Sequence, residues 1–186
     1  MTARVFPKSP KARKPQALKD WRASEAWVPR ALVTEMMSSP VSAPRSSEGA
    51  VLLESGVLAC RRGKNGEPQI LLISKKGSKN WGIPKGRAEP HLSFGENAAK
   101  EAYEEAGVLG NLSTNAIGMF RARKRSHNPR ERLVIEVWIY LLLVTQCLAN
   151  WPEEQKRKTK WVSCEYAAAH LREPVLADLC HRLAQS

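Results

Sequence analysis

Residues 86–108 read GRAEPHLSFGENAAKEAYEEAGV, and the end of that stretch carries three glutamates, Glu101, Glu104 and Glu105, at i, i+3 and i+4. On an α-helix those positions lie within about 100° of one another, so the three carboxylates leave the same side. Like charges so placed weaken a helix unless cations join them. The flanks predict that a helix forms nonetheless. Ser93-Phe94-Gly95-Glu96 has the form of a capping box, and Gly107 stands where a helix would end. Ala98, Ala99, Ala102, Tyr103 and Ala106 supply the other side, mostly small enough to pack closely on a sheet. Upstream, KNWGIPKG at 79–86 reads as a short extended segment running into a loop, so the local order is strand, loop, helix.

The whole stretch resembles the Nudix box, G-x5-E-x7-R-E-U-x-E-E-x-G-U with U aliphatic. Counted from Gly86, five residues lead to Leu92 and seven more to Lys100, so every spacing is kept. Two identities depart: the box's first glutamate is Leu92 and its arginine is Lys100. An acid and a guanidinium can brace the loop against the helix, whereas a leucine and an ammonium cannot. Both positions have changed together, and Glu89 and Glu96 are the nearby substitutes for the missing acid. The resemblance implies an α/β fold, a Nudix α/β/α sandwich with a mixed β-sheet and the box helix on one face. It also implies that Glu101, Glu104 and Glu105 are the catalytic, metal-binding carboxylates, with Gly86 in the same metal set.

Carboxylate oxygens suit a hard ion, Mg²⁺ first and Mn²⁺ as the alternative, and the sequence offers no His or Cys cluster for a softer one. Such an ion neutralises phosphate oxygens and positions water, so the expected reaction is hydrolysis of a phosphoanhydride bond. The general base stays open among the three glutamates, Glu136 and the Glu153-Glu154 pair. Beyond the box, Gly110-Asn111-Leu112, Ile117-Gly118-Met119-Phe120, the run VWIYLLLV and Arg157-Lys158-Thr159-Lys160-Trp161 are similar to the diphosphoinositol polyphosphate phosphohydrolase branch. Pro84-Lys85-Gly86 followed by Glu89-Pro90 is closer to diadenosine polyphosphate hydrolases.

Charge points to the same substrates. Arg121, Arg123, Lys124, Arg125, Arg130 and Arg132 face only Glu131 in a segment that His127-Asn128-Pro129 marks as a hairpin-like loop. Arginine grips phosphate in bidentate fashion. Lys79, Lys85, Arg121, Arg123, Arg125 and Arg132 are therefore the candidate substrate-binding residues for a polyphosphorylated small molecule. Removal of pyrophosphate from an RNA 5′ end is the rival enzymatic reading, since basic surfaces also suit RNA. A non-catalytic, anion-binding protein of the same fold is the second alternative. His91 and His127 are isolated and read as surface residues.

The remaining sequence bounds this picture. The chain has 186 residues and a net charge of +12. Residues 1–46 are rich in Pro, Ser, Lys and Arg, carry nine basic and three acidic side chains, and are read as a disordered extension; 47–186 are the folded domain. Strands are expected at 51–61, 69–75, 116–122, 132–145 and 158–163, and helices at 165–171 and 174–184. The apolar run at 133–144 is too short to span a membrane, no secretory-signal core is visible, and four scattered cysteines are expected as thiols. The reading is cytoplasmic, with no membrane partner and no oligomeric state implied.

Overall fold

The computed structural model describes residues 51–125 and 132–185. Within them the chain forms β1 (Val51–Arg62), β2 (Pro68–Lys75), β3 (Lys85–Arg87), α1 (Phe94–Ala106), β4 (Val108–Leu112), β5 (Gly118–Arg125), β6 (Arg132–Cys147), β7 (Arg157–Ser163), α2 (Cys164–His170) and α3 (Pro174–Ala184). The strands make one mixed sheet in the order β4-β6-β1-β2-β7, with β3 paired to β1 and β5 to β6. Among the described residues only β1 and β6 run parallel. Each carries an apolar stretch, 57–60 in β1 and 137–144 in β6, as strands covered on both faces require.

Alternation sorts the side chains onto two faces. Val57, Ala59, Leu71, Ile73 and Leu142 meet Ala98, Ala102 and Ala106 of α1. Leu58, Cys60, Ile70, Leu72, Val137, Ile139 and Leu141 meet Cys164, Leu176, Leu179, Cys180 and Leu183 from α2 and α3. This is the expected α/β sandwich, with the box helix alone on one side.

Several boundaries differ from expectation for local reasons. Strand β4 was not foreseen: of VLGNL only Val108 is buried, and a register shift between Leu109 and Gly110 breaks the two-residue period. Strand β5 reaches Arg125, so Arg121, Arg123 and Arg125 sit on a strand and not in a loop, because antiparallel pairing to β6 continues to Arg125↔Arg132. No described helix is long and apolar enough to cross a membrane. The proposed 1–46 extension, His127 and Arg130 lie outside the described residues.

Candidate active site

Helix α1 starts as its sequence dictates. The Ser93 hydroxyl accepts from the Glu96 amide at 3.2 Å while Glu96 Oε2 accepts from the Ser93 amide at 2.9 Å, so both sides of the capping box are made. Gly107 ends it at φ 64°, and its N–H donates to the Tyr103 carbonyl at 3.0 Å. A side chain there would be strained in this conformation and would also strike the Trp151 ring.

Ahead of the helix, one buried amide fixes the loop. Asn97 is fully buried; its Nδ2 donates to Ser55 Oγ on β1 at 3.0 Å, and its Oδ1 accepts from the Glu89 backbone N–H at 3.3 Å. Asn97 thereby ties strand, helix and loop together and sets where Glu89 stands. The consequence is visible in Lys100, whose Nζ lies 3.2 Å from Glu89 and 2.6 Å from Glu104. Of the two substitutes for the missing box acid, Glu89 supplies the loop-to-helix brace and Glu96 is taken by the cap. Burial alone would lower the Lys100 pKa, but hydrogen bonds to Glu104 and Glu89 outweigh it and hold the ammonium above its usual value.

The three glutamates leave one side of α1 but meet different partners. Glu105, nearly buried, accepts the Lys85 backbone N–H at 3.0 Å with one oxygen and the Arg157 guanidinium with the other. Glu104 holds Lys100. Glu101 is half-buried over Gly86, so close that a Cβ at position 86 would fall where its carboxyl lies. Burial is the largest cause that pushes the Glu101 carboxyl above the ordinary range; nearby Lys100 opposes it, and the charges of Glu104, Glu153 and Glu89 add to it.

That cradle tests the site for a cation. A carboxylate seated on a glycine backbone among three further carboxylates is a set of hard oxygen donors, and it fits Mg²⁺ or Mn²⁺ in chemistry. As placed, no three acidic or His/Cys side chains among the described residues converge on one ion position, and Glu104 and Glu105 are paired with Lys100 and Arg157.

The expected phosphate-binding residues are dispersed. Lys85 shares its face of the strand pair with Gly56 and Glu54, and its Nζ stands 2.5 Å from Glu54, away from the carboxylates that its own backbone N–H supports. Lys79 is exposed in the β2–β3 connection. Arg121 and Arg123 alternate on the face of β5 that the helix α1 shares, and Arg121 lies 3.0 Å from the buried Glu136. Glu136 also accepts from Trp138 Nε1 at 3.1 Å, so its two oxygens hold Trp138 and Arg121. Arg125 and Arg132 are register partners.

Sequence reasoning missed Asn97 and Arg157. Arg157 reaches Glu105 on α1 and, at 2.7 Å, Glu153 in the turn before β7, whose own amide donates to the Glu104 carbonyl at 2.9 Å. Burial pulls the Arg157 pKa below its usual value and the charge of Glu101 opposes that pull.

Residues 52–182 match the family model described as NUDIX domain. Diphosphoinositol polyphosphate phosphohydrolase 2 of Rattus norvegicus is 33% identical over 128 residues, covering 67% of this chain and 66% of that protein. The chain therefore spans just under two thirds of that relative's length. Among solved structures, an Ap4A hydrolase binary complex of C. elegans matches with a TM-score of 0.52 at 18% identity, over 72% of this chain and 96% of the other. The NUDIX domain of Shewanella oneidensis NrtR, solved with ADP ribose, matches with a TM-score of 0.55 at 13% identity, over 82% and 96%. At those identities the two structures speak for the fold.

Proposed function

The chain belongs to the NUDIX domain family, and on that premise we propose that it hydrolyses a phosphoanhydride bond in a polyphosphorylated small molecule. The observation that carries the proposal is the Glu101 carboxyl seated over Gly86 beside Glu104, Glu153 and Glu89. Glu101, Glu104 and Glu105 with the Gly86 backbone would hold a divalent cation, Mg²⁺ or Mn²⁺. When bound, that ion supplies charge neutralisation for the phosphate oxygens and a more acidic water.

The chain's own residues do the rest. Asn97 and the Glu89–Lys100–Glu104 brace hold the loop on the helix, so the glycine backbone and the carboxylates keep a fixed spacing. Glu153 reaches the same region from the opposite side of the chain and joins the three box glutamates as a candidate for taking the water's proton. Arg121 and Arg123, displayed on the α1 side of β5, would meet phosphates beyond the cleaved bond.

Substrate class follows from the relatives' names and from this charge. One relative is named for diphosphoinositol polyphosphate and one structural neighbour for Ap4A, both rich in phosphate. A cytoplasmic location belongs to the same proposal and is supported by four cysteines that are all free thiols. The test is a panel of ADP-ribose, dinucleoside polyphosphates, diphosphoinositol polyphosphates and 5′-triphosphate RNA with Mg²⁺. The proposal expects preference for the long small-molecule phosphates. It also expects Arg123→Ala to lower kcat/KM more for these than for ADP-ribose, since a charge-assisted contact acts only where a phosphate reaches it. Preference for RNA, or equal losses on both substrates, would contradict it.

A further inference from the structure

Arg157 comes from the start of β7, 52 positions from Glu105, and touches two acids of different elements at once. Its side chain is only 15% exposed and that of Glu105 7%, whereas Lys100 and Glu104 are each about a third exposed. Arg157 is thus the most enclosed cation in contact with the glutamates of α1 among the described residues. Its Nε donates to Glu153 and its Nη2 to Glu105, so one guanidinium spans the gap between the helix and the 151–156 turn. With Glu101, Glu104, Glu105, Glu153 and Glu89 crowded on this side, the fold needs positive charge there whether or not an ion is bound.

We infer that Arg157 is a positioning residue that holds the place of the divalent cation, keeping Glu105 and Glu153 together in the metal-free protein and yielding Glu105 when the ion enters. The inference rests on the divalent-cation reading given above. A rigid planar fork suits this task, because it fixes two carboxylates at a set separation and is never deprotonated. Lysine in its place would keep the charge and reach one acid at a time. A neutral side chain would leave Glu105 enclosed without its counter-charge, and the incoming ion would then relieve more repulsion than in the wild type. Stabilisation by a ligand measures its affinity, so the variant must show it as a larger rise in melting temperature.

The test uses the full chain with Mn²⁺ as probe. Arg157→Met should melt roughly 5–10 °C below wild type without metal, as loss of one member of an enclosed pair predicts. Saturating Mn²⁺ should raise its Tm by more than it raises that of the wild type, and the Mn²⁺ Kd from calorimetry should fall about tenfold. Arg157→Lys should keep the wild-type Mn²⁺ response, and with Mg²⁺ it should lower kcat while leaving KM near its wild-type value. Should Arg157→Met fail to fold, ¹⁵N spectra of the wild type decide: the Arg157 side-chain N–H signals should move and exchange faster on adding Mg²⁺. Equal Mn²⁺ responses in wild type and Arg157→Met, or unmoved Arg157 signals on saturation, would overturn this inference alone. No Mn²⁺ response in any protein would overturn the divalent-cation reading and this inference with it.

Discussion

The two faces of the sheet are built from the same strands and bury opposite chemistry. Toward α2 and α3, Leu58, Ile70, Leu72, Val137, Ile139 and Leu141 interlock with leucines and thiols. Toward α1, Ser55 of β1 and Arg157 of β7 reach an alanine-lined helix whose last turns crowd carboxylates. The first face gains free energy from every methylene it hides. The second buries a smaller apolar cluster, Val57, Ala59, Leu71, Ile73 and Leu142 against the alanines of α1, and beside it keeps like charges together with braces such as Lys100 and Arg157. In this molecule the clustered carboxylates therefore lie on one side of the sheet, and the larger apolar cluster lies on the other.

Crossing a substitution from each face should break that division if it is wrong. Leu72→Ala removes fully buried methylenes and should lower unfolding free energy by about 2–5 kcal/mol in a denaturant titration, with kcat of the folded fraction little changed. Glu104→Gln should lower turnover by at least about a hundredfold and leave the metal-free melting temperature within a few degrees, since it removes one of the clustered charges. If Glu104→Gln unfolds the protein as Leu72→Ala does, the faces are not separable.

A smaller effect sharpens the account of the brace. Glu89→Gln deletes one side of the Glu89–Lys100 contact, a partly exposed pair worth no more than about 1 kcal/mol to stability. Turnover should fall several-fold because the loop loses its charged tie to the helix, although the backbone bond to Asn97 stays. Introducing Leu92→Glu together with Lys100→Arg supplies an acid and a guanidinium of the box pattern, and kinetics of the triple variant should recover most of the loss. Failure to recover would mean that Glu89 acts on the chemistry directly and not through Lys100.

The least effect concerns the thiols of the apolar face. Burial pushes Cys180 up to about 12 and Cys164 to about 11, and raises Cys60 well above the usual thiol value. At pH 8 these three stay protonated and unreactive, while Cys147 is exposed. A thiol reagent followed by mass spectrometry should label Cys147 alone in the native protein and all four cysteines in denaturant. Rapid native labelling of Cys60 or Cys180 would show that this face opens readily.

What was legible in the sequence is what local rules write. The capping box, the left-handed stop at Gly107, the i, i+3, i+4 acids and the apolar runs of β1 and β6 each depend on neighbours within a few positions. Contacts across the fold left no such mark. Arg157 entered only as part of a run similar to one branch of the family, and nothing in its spacing points to Glu105. Asn97 looks like an ordinary polar helix residue until Ser55, 42 positions away, is brought against it. Glu89 and Glu96 were equal substitutes on the page, and only the cap geometry separates them. Strand β4 was hidden because its side chains are mostly exposed and its register shifts.

The central claim is that the acidic side of α1 performs metal-dependent hydrolysis, and it is tested most directly by one comparison of initial rates. Wild type and Glu101→Gln would be assayed on the best substrate of the panel, each with Mg²⁺ and with chelator, after circular dichroism has confirmed equal folding. The account predicts turnover by the wild type that vanishes with chelator and returns with Mg²⁺, and a loss of at least about a hundredfold in Glu101→Gln at saturating Mg²⁺. Turnover that survives the chelator, or a Glu101→Gln variant as fast as the wild type, would contradict it.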